Sequence, residues 1–147
     1  MKGLIISQNK EVYEKFIVIF SDYRLVQNVE FEEVKKLLKC RKYDTVIVDL
    51  TKFDNWHHMT FIPTLRILGL DLPLIMVTEN DHIRQQVEMT NLDITGILSY
   101  PIMDNELQVC LKKVKELIWY RNWKKERSRN KGTEFVKNEY LSNVGRS

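Results

Sequence analysis

The chain has 147 residues, 44% of them hydrophobic and 10% aromatic, which is the make-up of one globular domain of ordinary size. No apolar run approaches the roughly 18 residues that span a bilayer, and the net charge is +3. That charge is unevenly spread: residues 1–118 carry 15 Lys and Arg against 17 Asp and Glu, whereas residues 119–147 carry 8 against 3.

In chain order, short apolar runs alternate with amphipathic stretches. Met1-Lys2-Gly3-Leu4-Ile5-Ile6 is too short for a signal peptide and reads as the start of a first strand, Gly3–Ser7. Lys10–Ser21 follows as a helix with Val12, Phe16, Ile19 and Phe20 on one side. Arg24–Val29 is a second strand, and Phe31–Cys40 a second helix whose Phe31, Val34, Leu37 and Leu38 share a face. Thr45–Leu50 is rich in Val and Ile, as a strand buried on both faces must be, and it carries Asp49 at its C-terminal end. Trp56–Leu68 has helical spacing, with Pro63 as a start or kink. Pro73–Thr78 is a fourth strand, Asp81–Thr90 a short polar helix, and Thr95–Ser99 a fifth strand. Asp104–Lys125 is the longest helix, with Leu107, Leu111, Val114 and Ile118 in one stripe. Asp81 and Asp104 stand where an N-cap or first-turn acid complements the helix dipole. The run Ser128-Arg129-Asn130-Lys131-Gly132 reads as a polar break, after which Thr133–Val144 is a further helical stretch.

Strand and helix alternating five times imply a parallel, doubly wound α/β sheet with helices on both faces. The expected division is a domain over 1–122 and a basic extension over 123–147, partly helical or disordered. In such sheets ligands and chemistry collect at the carboxyl ends of strands. Asp49 is there, and it is either a solvated terminus or a reactive group.

Three strand-end residues, Asp49, Thr78 and Pro101 in Ser99-Tyr100-Pro101, follow one another in an order and spacing that resembles the receiver domain of bacterial two-component response regulators. The resemblance covers residues 1 to about 122. It implies a flavodoxin-like fold with strand order 2-1-3-4-5, followed here by an extended C-terminal helix. It implies that Asp49 is the phosphoacceptor equivalent and Thr78 the switch hydroxyl. It also implies a contact surface on the fourth helix, fifth strand and fifth helix. The family further uses an acidic pair after the first strand to hold Mg2+, a Lys before the proline, and an aromatic residue in the fifth strand. This chain has Ser7-Gln8-Asn9-Lys10, Tyr100 and Ile97 at those places. Magnesium binding and phosphoryl transfer both rest on concentrated charge.

The expectation is therefore a non-enzymatic, cytoplasmic signalling module that needs no cofactor. Ser7, Gln8, Asn9, Lys10, Tyr100 and Pro101 line the site, and Asp49 is a structural acid accepting hydrogen bonds from Thr78 or from loop N–H groups. The alternative is a working phosphoacceptor that takes Mg2+. The partner is a protein, a sensor kinase or a downstream signalling component, with a homodimer as a further option and no membrane contact. Tyr100, Trp119 and Trp123 are the expected contact residues, because exposed aromatics serve as anchors.

Basic residues interleave with aromatics over residues 118–129, so nucleic-acid binding by the tail, or a solvated extension without a partner, stand beside a protein contact. Other signatures are absent. The adjacent His57-His58 point apart on a helix and make no metal pair. Glu79-Asn80-Asp81 reads as a helix cap. The five glycines are scattered, so no phosphate loop exists, and no Ser/His/Asp or Cys/His set falls together. Cys40 and Cys110 are isolated packing residues of a reducing compartment.

Overall fold

The computed structural model describes residues 1–27, 31–39, 42–52, 72–79, 81, 84, 85 and 94–142, with side chains described as far as Ser128 apart from that of Phe31. The expected helix at 56–68, most of that at 81–90, His57-His58, Cys40 and residues 143–147 lie outside these.

Five strands, β1 (Lys2–Ile6), β2 (Asp22–Val26), β3 (Thr45–Asp49), β4 (Leu74–Thr78) and β5 (Gly96–Ser99), form one parallel sheet of order β2-β1-β3-β4-β5. This is the α/β topology and strand order expected from the sequence. Every residue of β3 and of β4 is buried, as their unbroken apolar runs require. The edge strand β2 is exposed over its first three residues.

Three helices are described: α1 (Lys10–Ile17), α2 (Phe31–Lys39) and α3 (Asp104–Ser142). Period-2 alternation sorts the core. Leu4, Ile6, Val46, Val48, Leu74 and Met76 cluster with Val34 and Leu38, so α2 covers one face of the sheet. Residues of the opposite parity, Ile5, Ile47, Ile75 and Val77, are fully buried as well, so the second face is also covered. Burying one such side chain contributes about 1.5–3 kcal/mol, and this is what holds the layers together.

Two bare backbone sites set close packing. A Cβ on Gly3 would stand 2.5 Å from the Phe20 ring, and one on Gly96 would stand 2.3 Å from the Cys110 sulfur. The second contact seats α3 directly on β5.

Several boundaries differ from expectation. α1 stops at Ile17 rather than Ser21, because the turn tightens with Ile19 N–H donating to the Phe16 carbonyl and Phe20 turning under Gly3. β2 begins at Asp22 rather than Arg24, since Ser21 already donates from its backbone and its hydroxyl to the Met1 carbonyl and starts the ladder. The break expected at 128–132 is not there: α3 runs through it to Ser142. Gly132 costs a helix only about 1 kcal/mol and no proline follows, so local propensity alone does not end it. By compactness the chain divides into Met1–Val114 and Lys115–Ser147. Among the described residues no helix is long and apolar enough to cross a membrane.

Candidate functional site

β1 and β3 are neighbours in the sheet, and their C-terminal ends bring Ser7 beside Asp49. Asp49 is 1% exposed and Ser7 is fully buried. The Ser7 hydroxyl donates to Asp49 Oδ2 at 2.6 Å. The other carboxylate oxygen, Oδ1, accepts from the Thr51 hydroxyl at 2.7 Å and from the Thr51 backbone N–H at 2.9 Å. Bonds of this length to a buried carboxylate are the strong, charge-assisted kind.

The network continues into the β1–α1 loop. Asn9 donates its backbone N–H to the Ser7 oxygen at 3.2 Å and its side-chain amide to the Thr51 oxygen at 3.2 Å. Its side-chain oxygen accepts the Glu11 N–H at 3.1 Å, so the same residue is the N-cap of α1. One asparagine thus ties the helix start to the Asp49 site.

Of the residues expected to line this site, Gln8, Lys10 and Pro101 are exposed. Lys10 pairs with Glu14 one turn along α1 at 3.7 Å. Lys10 therefore brings no charge to Asp49. Thr78 is buried at the end of β4, and its carbonyl accepts the Tyr100 N–H at 2.7 Å. Among the described residues the donors to Asp49 are Ser7 and Thr51 rather than Thr78. Of the two donor types expected, the loop N–H is found, and the hydroxyls come from elsewhere.

Tyr100 follows β5, is half-buried, and donates its hydroxyl to the Glu11 carboxylate. That hydrogen bond, with lesser effects from burial and from the charge of Glu11, pushes the tyrosine pKa up. Pro101 is exposed and joined to Tyr100 through a cis peptide bond. Ile97 is partly buried and packs against the core cluster. Lys15 reaches the Ile102 carbonyl at 3.1 Å and Asp104 at 3.2 Å, linking α1 to the start of α3.

Thr51 and Glu11 are the participants that sequence reading missed. Thr51 had a signal, since a hydroxyl residue two positions after an Asp commonly closes a local side-chain turn. Glu11 had none, because its partner is 89 positions away.

Magnesium is held mainly by carboxylate oxygens and water. Asp49 is the one buried carboxylate among the described residues, its neighbours Ser7, Asn9 and Thr51 are neutral, and both of its oxygens already accept hydrogen bonds. Among the described residues no three His, Cys, Asp or Glu side chains gather to hold a metal ion. Among the described residues, those around Asp49 do not make a magnesium site.

Trp119 and Trp123 lie in the second compact unit and are exposed, as is Tyr120. Their rings form one cluster with Arg127.

No protein-family model matches the sequence, and no curated protein matches it. In three dimensions the chain is similar to solved receiver domains. One, from a Francisella response regulator, is 18% identical, with 79% of this chain and 98% of that one covered and a TM-score of 0.59. Another, from an HD domain-containing protein of Pseudomonas fluorescens Pf-5, is 17% identical over 81% and 97%, with a TM-score of 0.62. A third is the N-terminal receiver domain of a two-component response regulator of Bacteroides fragilis, 16% identical over 77% and 95%, with a TM-score of 0.61. The fold is that of a response-regulator receiver domain, the fold the strand-end residues implied.

Proposed function

We propose that the chain is a receiver-like signalling protein that works through protein–protein contacts, without enzymatic turnover and without Mg2+-dependent phosphorylation of Asp49. The observation that carries this reading is the closed state of the carboxylate. Ser7 and Thr51 donate to both oxygens of Asp49, and neutral side chains stand around it. Attack on a phosphodonor needs a free carboxylate oxygen and cations to neutralise the transferred group. Asp49 instead anchors the ends of β1 and β3. Its partner is a protein, either a sensor kinase or a downstream component, and Tyr100, Trp119 and Trp123 are the contact residues.

The test is incubation with acetyl phosphate and Mg2+, followed by intact-mass measurement of wild type and Asp49→Asn. The expected result is no phosphoryl adduct on either. A stoichiometric adduct on the wild type, absent from Asp49→Asn, overturns the reading in favour of a conventional phosphoacceptor. In that case beryllofluoride with Mg2+ would also raise the melting temperature, because it would bind only the folded chain.

A further inference from the structure

The second compact unit consists of helix as far as it is described, so it has no second element of its own to cover an apolar face. Yet Trp119, Tyr120 and Trp123 are 66%, 52% and 39% exposed. Positions three and four apart are neighbours on a helix surface. Trp119 and Trp123 stack with centroids 6.3 Å apart and planes 13° off parallel. Tyr120 lies 5.9 Å from Trp123, and the Arg127 guanidinium sits 5.1 Å from the Trp123 centroid. Three such rings expose on the order of a few hundred Å2, the scale of patch that marks an interaction site. The rings hold one another in place, so little side-chain freedom remains to be lost on binding.

The charges around the rings select the occupant. From Lys115 to Ser128 there are five Lys and Arg against two Glu. A nucleic acid needs open ring faces on which bases stack, but Trp123 is already stacked by Trp119 and covered by Arg127. A lipid surface needs an uncharged apolar face, and here Glu116, one turn before Tyr120, and Arg127, one turn after Trp123, share the aromatic side. An acidic amphipathic protein segment meets both features: its apolar residues pack on the rings and its carboxylates meet Arg127, one turn after Trp123, and Lys124 at the edge of that side.

We propose that the Trp119–Tyr120–Trp123–Arg127 face of α3 is a docking surface for an acidic amphipathic segment of a partner protein. This rests on the reading of the chain as a protein-contact module and names the chemistry of the partner. The aromatics supply the anchor, and the cations supply specificity and rate of association.

The test uses the full chain and a fluorescein-labelled Glu/Leu amphipathic helical peptide, read by anisotropy. A Glu/Ser peptide of equal charge, an oligothymidine of similar length and phosphatidylserine vesicles serve as comparisons. The Glu/Leu peptide binds most tightly, and Trp119→Ala with Trp123→Ala raises its Kd about tenfold or more, the loss of one hot-spot anchor. Arg127→Ala weakens it severalfold, and so does added salt. The double Ala variant keeps the helical circular dichroism of the wild type, since its changed side chains are exposed. The proposal is overturned if the peptide binds both proteins alike or if the Glu/Ser peptide binds as well. Tighter binding of oligothymidine or vesicles, or self-association lost with the two tryptophans, overturns it too. The phosphodonor experiment reads Asp49 separately. A phosphorylated chain that still binds the peptide refutes the phosphorylation reading alone, and an unphosphorylated chain that ignores the peptide refutes the docking surface alone.

Discussion

Replacing Ser7 by alanine removes one hydroxyl from the centre of the strand-end network. That hydroxyl donates to Asp49 Oδ2 at 2.6 Å and accepts the Asn9 N–H at 3.2 Å, in a place with no exposure to water. A hydrogen bond to a charged acceptor contributes about 1.5–3 kcal/mol net. In Ser7→Ala the carboxylate retains its two bonds from Thr51, so the loss is that of one bond and not collapse of the site. The expected cost is about 2 kcal/mol, measured as a urea midpoint lowered by about 1 M if the slope is near 2 kcal/mol/M. Gln8→Ala, one residue on and exposed, is the control and stays within about 0.5 kcal/mol of wild type. Thr51→Val removes the hydroxyl bond to the other oxygen. Because both bonds end on one carboxylate, Ser7→Ala and Thr51→Val combined depart from additivity by at least about 0.5 kcal/mol. A Ser7→Ala cost no larger than that of Gln8→Ala would refute the closed-carboxylate argument, and with it the reason for denying Asp49 its phosphoacceptor role.

Gly96→Ala drives a methyl into the Cys110 sulfur 2.3 Å away and costs about 1–3 kcal/mol by overpacking. Cys110→Ala in the same chain restores most of it, and additive effects in a thermal-melt cycle would show that α3 is not seated on β5 there. Stability also falls as the solution turns alkaline. Burial pushes the Cys110 thiol above its ordinary 9.0, and the Glu11 hydrogen bond pushes Tyr100 above its ordinary 10.0. A pKa raised in the folded state means that the unfolded chain gives up its proton first. The contribution is therefore whole below pH 9.0 and is lost as pH rises through the folded-state values. The stability gap between wild type and Cys110→Ala should narrow above that pH in urea titrations; a constant gap would contradict the buried thiol.

The strand-end geometry was only partly legible in the sequence. Asp49, Thr78 and Pro101 could be placed at strand ends because runs such as Thr45–Leu50 and Pro73–Thr78 have no other way to be buried. Ser7 and Asn9 could be named as neighbours of the site, since they follow the first strand directly. Their separation from Gln8 and Lys10 could not, because the choice of inward and outward side chains in a loop is made by backbone dihedrals and by the available donors. The end of α3 was misjudged for the opposite reason: a polar, glycine-bearing stretch looks like a break, whereas helix continuation is decided by small sums of propensity.

Periodicity along the chain determined the α/β class and the five strands, since apolar runs must be buried and right-handed crossovers leave few arrangements. The strand order was implied by the resemblance to receiver domains and is the order found in the sheet. The sequence also determined that the segment after β1, Ser7-Gln8-Asn9-Lys10, carries no acidic residue. The tertiary structure alone decided what surrounds the Asp49 carboxylate. Ser7 is 42 positions from Asp49, and Glu11 is 89 from Tyr100. Hydrogen bonds depend on tenths of an ångström and on direction, and no one-dimensional pattern carries that information across such separations.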